Sequence, residues 1–461
     1  MRILCNLPLE CFDDRAAMRG VELVTFGPAE RMLVDGVHFP YDVEFDPSRG
    51  SWQQLAERLP PGFEPDVLLL YWPDQEPLPD QLESCPWQIV GVVSDYNLSL
   101  PYLVGLWPFF DVLLCDRAGE ELFTRLTFGD VRYWCQYSHK PASHRPWPDA
   151  GPRDLDVGFV GNLNPVVQRE RAPWLARLQG LGNYGVDVHV RSDVSGADYG
   201  RFLNRCRIGW NRSIRGEMNL RAFEVPACGA LLLQERSNLE IADFFVPGEE
   251  CVLYGDDDFE HVVLELLGDE PRRQRIAAAG QRRLHEHRFA NRVTQLAEML
   301  SRRGPGRPAS SAADRTLGRG VAMLTSWAGS DAVAMAALAA QRAAPDDPKA
   351  LNLLALATLR LRGSAGGDTA WRLWQRAAAA SPSYLPAVTN LAALAAASAD
   401  DHLRSGMHNE LERRRANPDW SDLDGPTLPL GYAAAAVERS LALQAAVRTG
   451  DPRVFATALA V

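Results

Sequence analysis

Residues 209–233, GWNRSIRGEMNLRAFEVPACGALLL, most constrain how this chain can fold, because they join a polar loop, a short helix and a buried strand. Asn219 suits a helix N-cap, since its side-chain oxygen can accept a free amide hydrogen there. Gly229 favours the left-handed turn that ends a helix. The apolar run 230–233 has the length of a buried parallel strand. We predict a helix between these caps, kinked or frayed at Pro226, and then a strand.

The same segment carries charges that suit a nucleotide. Free amides and the positive end of a helix dipole attract phosphate at a helix start. Arg212, Arg215 and Arg221 could add fork-shaped hydrogen bonds to phosphate oxygens. Glu224 stands where an acidic residue can accept hydrogen bonds from the two hydroxyls of a ribose. A nucleoside diphosphate fits this set.

The run 221–229, RAFEVPACG, resembles the donor-binding signature of GT-B glycosyltransferases, in particular the spore-maturation CgeB type among the group 1-like enzymes. The resemblance extends from about residue 154 to 300, and more faintly over the first 150 residues. It implies two facing Rossmann-like domains, a nucleotide-sugar donor and a ribose held by Glu224. The class often carries another glutamate one residue further upstream than Glu217 stands here, so Glu217 is given no sugar-binding role.

A simpler interpretation of the same motif stays open. Arg221 and Glu224 are three residues apart, the spacing of a surface ion pair on one face of a helix. Such a pair stabilises a helix by only about 0.2–0.5 kcal/mol. Arg221 could also anchor Glu224 rather than bind phosphate.

Apolar runs that read as buried strands, such as 65–72, 88–93 and 111–116, alternate with helical stretches in the first 148 residues. This alternation predicts a mostly parallel sheet. Ligands of such sheets lie beyond the carboxyl ends of the strands, which makes Asp95 a candidate. Its carboxylate could take the proton from an acceptor hydroxyl if transfer inverts configuration. The alternative is that Asp95 only caps the next helix or turn.

His139 is the second catalytic candidate, because it lies near the expected crossing between the two domains. A lone histidine is often only a hydrogen-bonded surface residue. After the crossing, the strand at 154–160 ends in a glycine turn at Gly161 and Asn162, which resembles the phosphate-side loop of a GT-B donor domain. A glycine lets a ligand approach the backbone closely. The G-x-G-x-x-G of nicotinamide or flavin binders is absent from this turn, which counts against an oxidoreductase.

Three consecutive acids, Asp256 to Asp258, could suggest a metal site. Consecutive side chains point in different directions, and these precede a predicted helix, where negative charge is favourable. We interpret them as capping residues and predict no metal ligands. The resemblance agrees, because GT-B enzymes generally need no bound metal for transfer.

Composition limits the partners and the compartment. A net charge of −11 argues against nucleic acid as a main partner. The eight cysteines show no zinc spacing and read as reduced thiols. The N-terminus lacks the features of a signal peptide, and the most apolar window, 102–115, is too short and too charged to cross a membrane. We expect a cytoplasmic protein without a membrane span.

Residues 301–311 form a linker by composition, and beyond them alanine and leucine increase and strand-like runs disappear. The sequence NLLALA at 352–357 recurs as NLAALA at 390–395, an offset of 38 residues. This period lies slightly above that of tetratricopeptide helix pairs. Stacked helix pairs offer a concave surface for another chain. The alternative is a brace on the catalytic fold or a dimer contact.

Together these observations predict an α/β protein with four parts: an acceptor-side domain at 1–148, a donor domain at 149–300, a linker at 301–316 and a tetratricopeptide-like helical domain at 317–461. The predicted function is metal-independent transfer of a sugar from a UDP- or GDP-sugar, with no other cofactor, to an acceptor that could be a protein held by the tail. The alternatives are a decayed scaffold that works through its tail, and a sugar-nucleotide epimerase. The predicted donor-binding residues are Gly161, Asn162, Asn211, Arg212, Arg215, Asn219, Arg221 and Glu224.

Overall fold

The computed structural model describes residues 1–28, 39–126, 129–302, 304, 306, 310–416, 418–420, 425–431 and 433–459. Within them the predicted fold class is confirmed: two α/β domains with parallel sheets are followed by a helical region. Part of the predicted linker, at 303, 305 and 307–309, lies outside the described residues.

The first domain contains a seven-stranded parallel sheet in the order β3-β2-β1-β4-β5-β6-β7. Its strands are β1 Arg2–Cys5, β2 Glu22–Gly27, β3 Val43–Glu44, β4 Val67–Tyr71, β5 Gln88–Val92, β6 Val112–Cys115 and β7 Val131–Tyr133. Its helices are α1 Trp52–Ala56, α2 Tyr96–Leu103 and α3 Arg117–Arg125. Strands β4 and β6 are buried along their whole length, as their continuous apolar sequences predict.

The second domain contains a five-stranded parallel sheet in the order β12-β11-β10-β8-β9. Its strands are β8 Leu155–Val160, β9 Val188–Arg191, β10 Cys206–Trp210, β11 Leu231–Glu235 and β12 Val252–Tyr254. Its helices are α4 Ala172–Gly180, α5 Gly196–Arg205, α6 Leu220–Ala227, α7 Ile241–Phe244, α8 Phe259–Gly268 and α9 Glu270–Arg283.

The segment around α6 folds as its sequence predicts. The side chain of Asn219 caps α6 by accepting a hydrogen bond from the amide of Ala222 at 3.3 Å. Pro226 lies in the last turn of the helix, where Cys228 is the C-cap. Gly229 then adopts a left-handed conformation with φ +73° and leads into β11, which pairs with β10 and β12 in parallel. The predicted caps and strand are confirmed.

Helix α10, Phe289–Leu300, follows the second domain in sequence but packs on the first. Its buried residues, among them Phe289, Val293 and Leu296, share one apolar cluster with residues of β1, β4, β5 and β6. The chain therefore crosses between the two sheets twice, once after β7 and once before α10.

The helical region packs consecutive helices side by side. Its helices are α11 Ala312–Met323, α12 Ser330–Ala343, α13 Pro348–Arg362, α14 Gly367–Ala380, α15 Leu385–Ala396, α16 Asp401–Arg414, α17 Ala434–Thr449 and α18 Pro452–Ala458. Helix α11 begins inside the segment that the sequence assigned to the linker. The two copies of the repeated motif lie on α13 and α15. Assignment to the tetratricopeptide class stays a prediction.

The helical region is not a separate module, because it shares an apolar core with the first domain. Leu385, Leu411, Leu443 and Phe455 belong to the same buried cluster as Leu68 of β4 and many other residues of the first domain. Polar contacts add to this packing: Ser440 of α17 accepts a hydrogen bond from the amide of Leu100 at 3.1 Å. These contacts favour the brace interpretation for this face of the tail.

The eight cysteines form no disulfide bonds, and all but Cys11 are buried. Among the described helices none has both the length and the apolar character needed to span a bilayer.

Candidate functional site

Glu224 lies one turn into α6 with its side chain only 7% exposed. Its Oε1 is 3.6 Å from Nε2 of His144, a residue of the crossing segment. Tyr199 of α5 packs edge-on against the ring of His144 at 5.3 Å between ring centroids. Burial, and then the charge of Glu224, raise the pKa of Tyr199 well above its usual value, so the phenol stays protonated. Glu224 therefore points into the protein and lies among hydrogen-bonding groups that the sequence motif did not reveal.

Arg221 does not pair with Glu224, so the interpretation of these two residues as a surface ion pair is wrong. Its Nε and Nη2 donate to the carbonyl of Val160 at the end of β8, the first at 2.9 Å, and Nη1 donates to Oδ1 of Asn211 at 2.8 Å. A Cβ at Gly161 would lie 2.5 Å from Nη2 of Arg221. The space that the missing side chain of Gly161 leaves is therefore occupied by the guanidinium group of Arg221.

Asn211, at the end of β10, is fully buried and holds the start of α6. Its Nδ2 donates to Oδ1 of Asn219 at 3.0 Å and to Oε1 of Gln234 at 2.7 Å. Its Oδ1 accepts from Nδ2 of Asn219 at 3.2 Å and from Arg221. Asn211 and Asn219, both predicted to bind the donor, therefore position Arg221 and the helix start.

Arg171, just before α4, is a buried guanidinium group that sequence reasoning missed. Its Nη2 donates to the carbonyl of Arg212 at 3.1 Å, whereas Nε has no partner, and the described residues offer it no carboxylate at ion-pair distance. Burial, and then the positive charge of Arg221, lower its pKa to about 10. Arg171 and Arg221 lie over the ring of Phe159 at 5.5 and 4.2 Å. An anion here would relieve the desolvation of both cations.

Arg212 and Asn162 lie at the same end of the second sheet. The guanidinium group of Arg212 lies 4.2 Å from the ring centroid of Trp174 in α4. Asn162 is exposed, and its side-chain oxygen accepts a hydrogen bond from the amide of Asn164 at 2.9 Å. The structure therefore brings together Gly161, Asn162, Asn211, Arg212, Asn219 and Arg221 at the carboxyl ends of β8 and β10.

The backbone amides of the loop before α6 are already used by carboxylates of the protein. Glu217 accepts from the amides of Ile214 at 3.2 Å and Arg215 at 2.6 Å. Glu235 accepts from the amide of Ser213 at 3.1 Å, and Glu240 from that of Met218 at 2.9 Å. These four loop amides are therefore not free to bind a diphosphate. The donors that remain for an anion are the first turn of α6 and the arginine side chains.

Arg215 joins the second domain to the first. Its side chain is 6% exposed, and Nε and Nη2 donate to Oδ2 of Asp116 at 3.2 and 3.0 Å. Its Nη1 donates to Oδ1 of Asn97 on α2, and its guanidinium group lies 4.7 Å from the ring centroid of Tyr96. The predicted phosphate ligand thus has a charged partner in the opposite domain.

Asp95 immediately precedes α2 but makes no side-chain capping hydrogen bond, so the alternative that it only caps this helix is wrong. Its side chain is 47% exposed, and Oδ1 lies 3.9 Å from Nη1 of Arg215. Asp95 is therefore an accessible carboxylate at the junction of the two domains. Its role as a base stays a prediction.

Asp74, which follows β4, is a second carboxylate near this junction. It is buried and accepts a hydrogen bond from the hydroxyl of Ser99 on α2. Burial raises its pKa to about 6, and the negative charge of Asp95 acts in the same direction. The sequence analysis did not single out Asp74, because burial of a loop aspartate depends on tertiary packing.

His139 lies in a cavity of about 480 Å³ between the crossing segment and the end of α9, and Asp95 is not among the described residues that line it. Among the described residues that line this cavity, His139 is the one that the sequence analysis had named as a site residue. Its Nδ1 has no hydrogen-bond partner in the described part of the chain, and burial lowers its pKa to about 4. His139 is therefore neutral at pH 7, and its catalytic role stays a prediction.

The acidic run at 256–258 does not cap α8 through Asp258, contrary to expectation. The carboxylate of Asp258 accepts from the amide of Gly255 at 2.7 Å and pairs with Arg236. Across the described residues, no cluster of three or more histidine, cysteine, aspartate or glutamate side chains is arranged to hold a metal ion.

Comparison with known proteins gives these residues a context. Residues 145–298 match the family of glycosyl transferase-like proteins. This third of the chain contains the whole second sheet, together with Arg171, Arg212, Arg221 and Glu224. No curated protein matches the sequence significantly.

Several solved structures are similar to this chain at low identity. Sucrose-phosphate synthase from Thermosynechococcus elongatus is 13% identical, with a TM-score of 0.41 over 65% of this chain and 98% of its own. An α-glucosyltransferase in complex with UDP and DNA is 11% identical, with a TM-score of 0.47 over 66% of this chain and 100% of its own. HepE from Anabaena, in complex with UDP and glucose, is 13% identical, with a TM-score of 0.38 over 65% and 99%.

Proposed function

We propose that this protein is a glycosyltransferase that uses a nucleoside-diphosphate sugar, with UDP- and GDP-sugars as the first candidates. The observation that carries the proposal is the buried guanidinium group of Arg171, which lacks a carboxylate partner in the described residues and lies beside Arg221. Both belong to the segment that matches glycosyl transferase-like proteins, and Glu224 lies one turn further along α6.

The charges suggest how the donor would be held. Arg171, Arg212 and Arg221 would contact the pyrophosphate oxygens, together with the first turn of α6. Glu224 would accept hydrogen bonds from the ribose hydroxyls. As the bond between the anomeric carbon and the phosphate oxygen breaks, the electron pair stays on the diphosphate, and fixed cations stabilise the charge that develops there.

Asp95 would act on the acceptor. Its carboxylate would take the proton of the acceptor hydroxyl while the hydroxyl oxygen bonds to the anomeric carbon, which inverts the configuration. Arg215 belongs to the loop before α6 and lies near this carboxylate, so it would fix the position of the acceptor side relative to the donor side. Transfer in this scheme requires no metal.

Thermal denaturation of the full chain with UDP and GDP tests the proposal. We expect at least one diphosphate to raise the melting temperature of the wild type, because a ligand that binds only the folded state stabilises it. Arg171→Met should abolish this shift. Arg177→Met is the matched control, because Arg177 likewise lies over an aromatic ring, that of Trp174 at 4.9 Å, but is paired with Glu260.

Two results would overturn the proposal. One is a wild type that no nucleoside diphosphate stabilises. The other is an equal response of the Arg171→Met and Arg177→Met variants to the stabilising ligand. The first result would also favour the alternative of a scaffold without catalysis.

A further inference from the structure

The cavity of about 480 Å³ that contains His139 has a strongly cationic lining. Arginine and histidine side chains make up six of its eleven described lining residues: Arg145, Arg282, Arg288, His139, His144 and His285. No aspartate or glutamate is among these eleven. The lining comes mainly from the segment after β7 and from the residues where α9 ends and α10 begins, which are the two crossings between the domains. We call this space the crossing cavity.

Two of the three arginines of the crossing cavity keep their full charge. Arg145 and Arg282 are exposed, and the described residues offer neither of them a carboxylate at ion-pair distance. The guanidinium group of Arg145 lies 4.2 Å from the ring centroid of Trp147, a contact that leaves its charge in place. The third, Arg288, pairs with Asp13, which is not among the described lining residues. The cavity therefore carries a net positive charge.

His139 responds to this positive charge. Its Nδ1 is buried and has no hydrogen-bond partner in the described part of the chain. Burial, and then the charge of His144, lower the pKa of His139 to about 4; Arg292 and Arg288 also lower it, and Asp13 opposes them. A metal ion does not suit such a cavity, because the arginines repel it and the described residues offer no cluster of three or more candidate ligands. A negatively charged ligand does suit it.

The two walls of the crossing cavity are fastened to different domains. At Arg145, the backbone carbonyl accepts a hydrogen bond from Nδ2 of Asn204 on α5 at 2.8 Å, and the amide of Trp147 donates to Oδ1 of the same asparagine at 2.9 Å. On the other wall, Nε of Arg288 donates at 3.1 Å to Oδ2 of Asp13, which lies between β1 and β2 of the first domain. A ligand that contacts Arg145 and Arg288 together therefore links the two domains.

The chemistry of the lining indicates which anion fits. A phosphate group carries about −1.5 to −2 charges and three acceptor oxygens, which match the fork-shaped donors of arginine. The volume of about 480 Å³ lies in the range of small-molecule sites and exceeds what a phosphate group alone fills. Apolar surface for an organic part of the ligand comes from Pro141, Pro146 and Leu284.

We propose that the crossing cavity binds a small phosphorylated molecule, whose phosphate group contacts Arg145 and Arg282 and which links the two domains through Arg288. The site is separate from the proposed donor site, because neither Arg171 nor Glu224 is among the described residues that line it. Binding of phosphate here does not depend on the proposed glycosyltransferase function.

Calorimetric titration of the full chain with inorganic phosphate tests the proposal, with sodium chloride added to keep the ionic strength constant. The double variant Arg145→Met with Arg282→Met should bind phosphate at least about tenfold more weakly than the wild type, because it loses charged hydrogen-bond donors. Both side chains are exposed, so the variant should fold. Arg275→Met with Arg372→Met is the matched control, since it removes the same charge from exposed positions outside the described lining. This control should bind phosphate as the wild type does.

Arg171→Met separates this site from the donor site, where the arginines also attract phosphate. This variant should keep the phosphate binding that the Arg145→Met/Arg282→Met variant loses, whereas the latter should keep the response to UDP or GDP. The proposal is overturned if the double variant and its control bind phosphate equally, or if Arg171→Met alone abolishes phosphate binding. A wild type that binds phosphate in the crossing cavity but no nucleoside diphosphate would contradict the donor proposal and leave this one standing.

Hydrogen exchange on the wild type provides a measurement that does not depend on any variant folding. Saturating phosphate should slow amide exchange at residues 139–146 and 281–288, which form the two walls of the crossing cavity, more than anywhere else in the chain. Phosphate also stabilises proteins in general by its exclusion from their surface, and that effect slows exchange evenly. Slowing that is spread evenly over the chain, or confined to the donor-site segments 161–171 and 219–222, would overturn the proposal.

Discussion

The second domain and the first use their polar groups differently where they meet. On the second domain, Glu217, Glu235 and Glu240 accept hydrogen bonds from amides of the loop before α6, and the buried Arg171 keeps an Nε without a partner among the described residues. On the first domain, Asp95 is half exposed and makes no side-chain capping hydrogen bond to α2. One face thus presents arginine side chains, and the other presents an accessible carboxylate. This is the division expected where a donor is bound tightly and an acceptor hydroxyl has to enter.

The largest expected effect concerns the open carboxylate. Asp95→Asn should lower the rate of transfer by about 100- to 10,000-fold, the usual contribution of a positioned base. Binding of the nucleoside diphosphate should not change, because Asp95 belongs to the other face. Rates are measured with saturating donor, and binding by calorimetry. A parallel loss of donor affinity would contradict the division between the faces.

The link between the faces comes next. Arg215→Ala should lower the free energy of unfolding by about 3–5 kcal/mol, because it leaves Asp116 buried without its cation. Arg117→Ala is the control, since Arg117 also pairs across the domains, with Asp243, but both side chains are 41% exposed. That change should remove at most about 1 kcal/mol. Equal losses in urea denaturation would show that Arg215 does not fasten the domains.

Substitution of Glu224 tests the proposed ribose contact on the second domain. Glu224→Gln should weaken diphosphate binding by about 2–3 kcal/mol, the worth of hydrogen bonds to a charged group. The substitution should weaken binding of the 2′-deoxy diphosphate less than that of the ribose form, because one of the two hydroxyl contacts is already missing there. An unchanged penalty with the deoxy ligand would place Glu224 away from the ribose.

The smallest expected effect is the pH dependence of stability at Asp74. Its pKa of about 6 in the folded protein exceeds its ordinary value of 3.8. The stability that its protonated form contributes is therefore full below about pH 4 and lost as the pH rises through 6. In Asp74→Asn the free energy of unfolding should decline by about 1–2 kcal/mol less over this pH range than in the wild type. Urea denaturation at pH 4, 5, 6 and 7 measures it, and identical slopes in both proteins would contradict the assignment.

What the sequence could predict follows local rules. Asn219 and Gly229 bound α6 because capping and left-handed turns depend on a few neighbouring residues. The buried strands follow from short apolar runs. Arg171 could not be found in this way, since what marks it is the absence of a nearby carboxylate, which only the packed chain reveals. The partner of Arg215 likewise comes from a segment about a hundred residues earlier in the chain.

The helical tail also shows that the sequence predicts local structure but not the tertiary contacts. Its composition and repeat predicted helices and a break after residue 300, but not that its apolar face would complete the core of the first domain. Hydrophobic periodicity tells which face of a helix is covered and not what covers it. Whether the whole tail binds a partner or braces the fold was left open by the sequence, and the structure shows bracing at α17.

Helix α17 also decides which fragments of this protein can fold. Ser440 and Gln444 contact the backbone carbonyls of Tyr96 and Asn97, at the start of the helix that follows Asp95. Truncation after the second sheet would expose the apolar surface that the tail covers on the first domain. It would also leave the carbonyls of Tyr96 and Asn97 to be hydrogen-bonded by water. Such a fragment would be expected to aggregate, and its inactivity would say nothing about chemistry. Engineering that replaces the C-terminal third must carry this helix along.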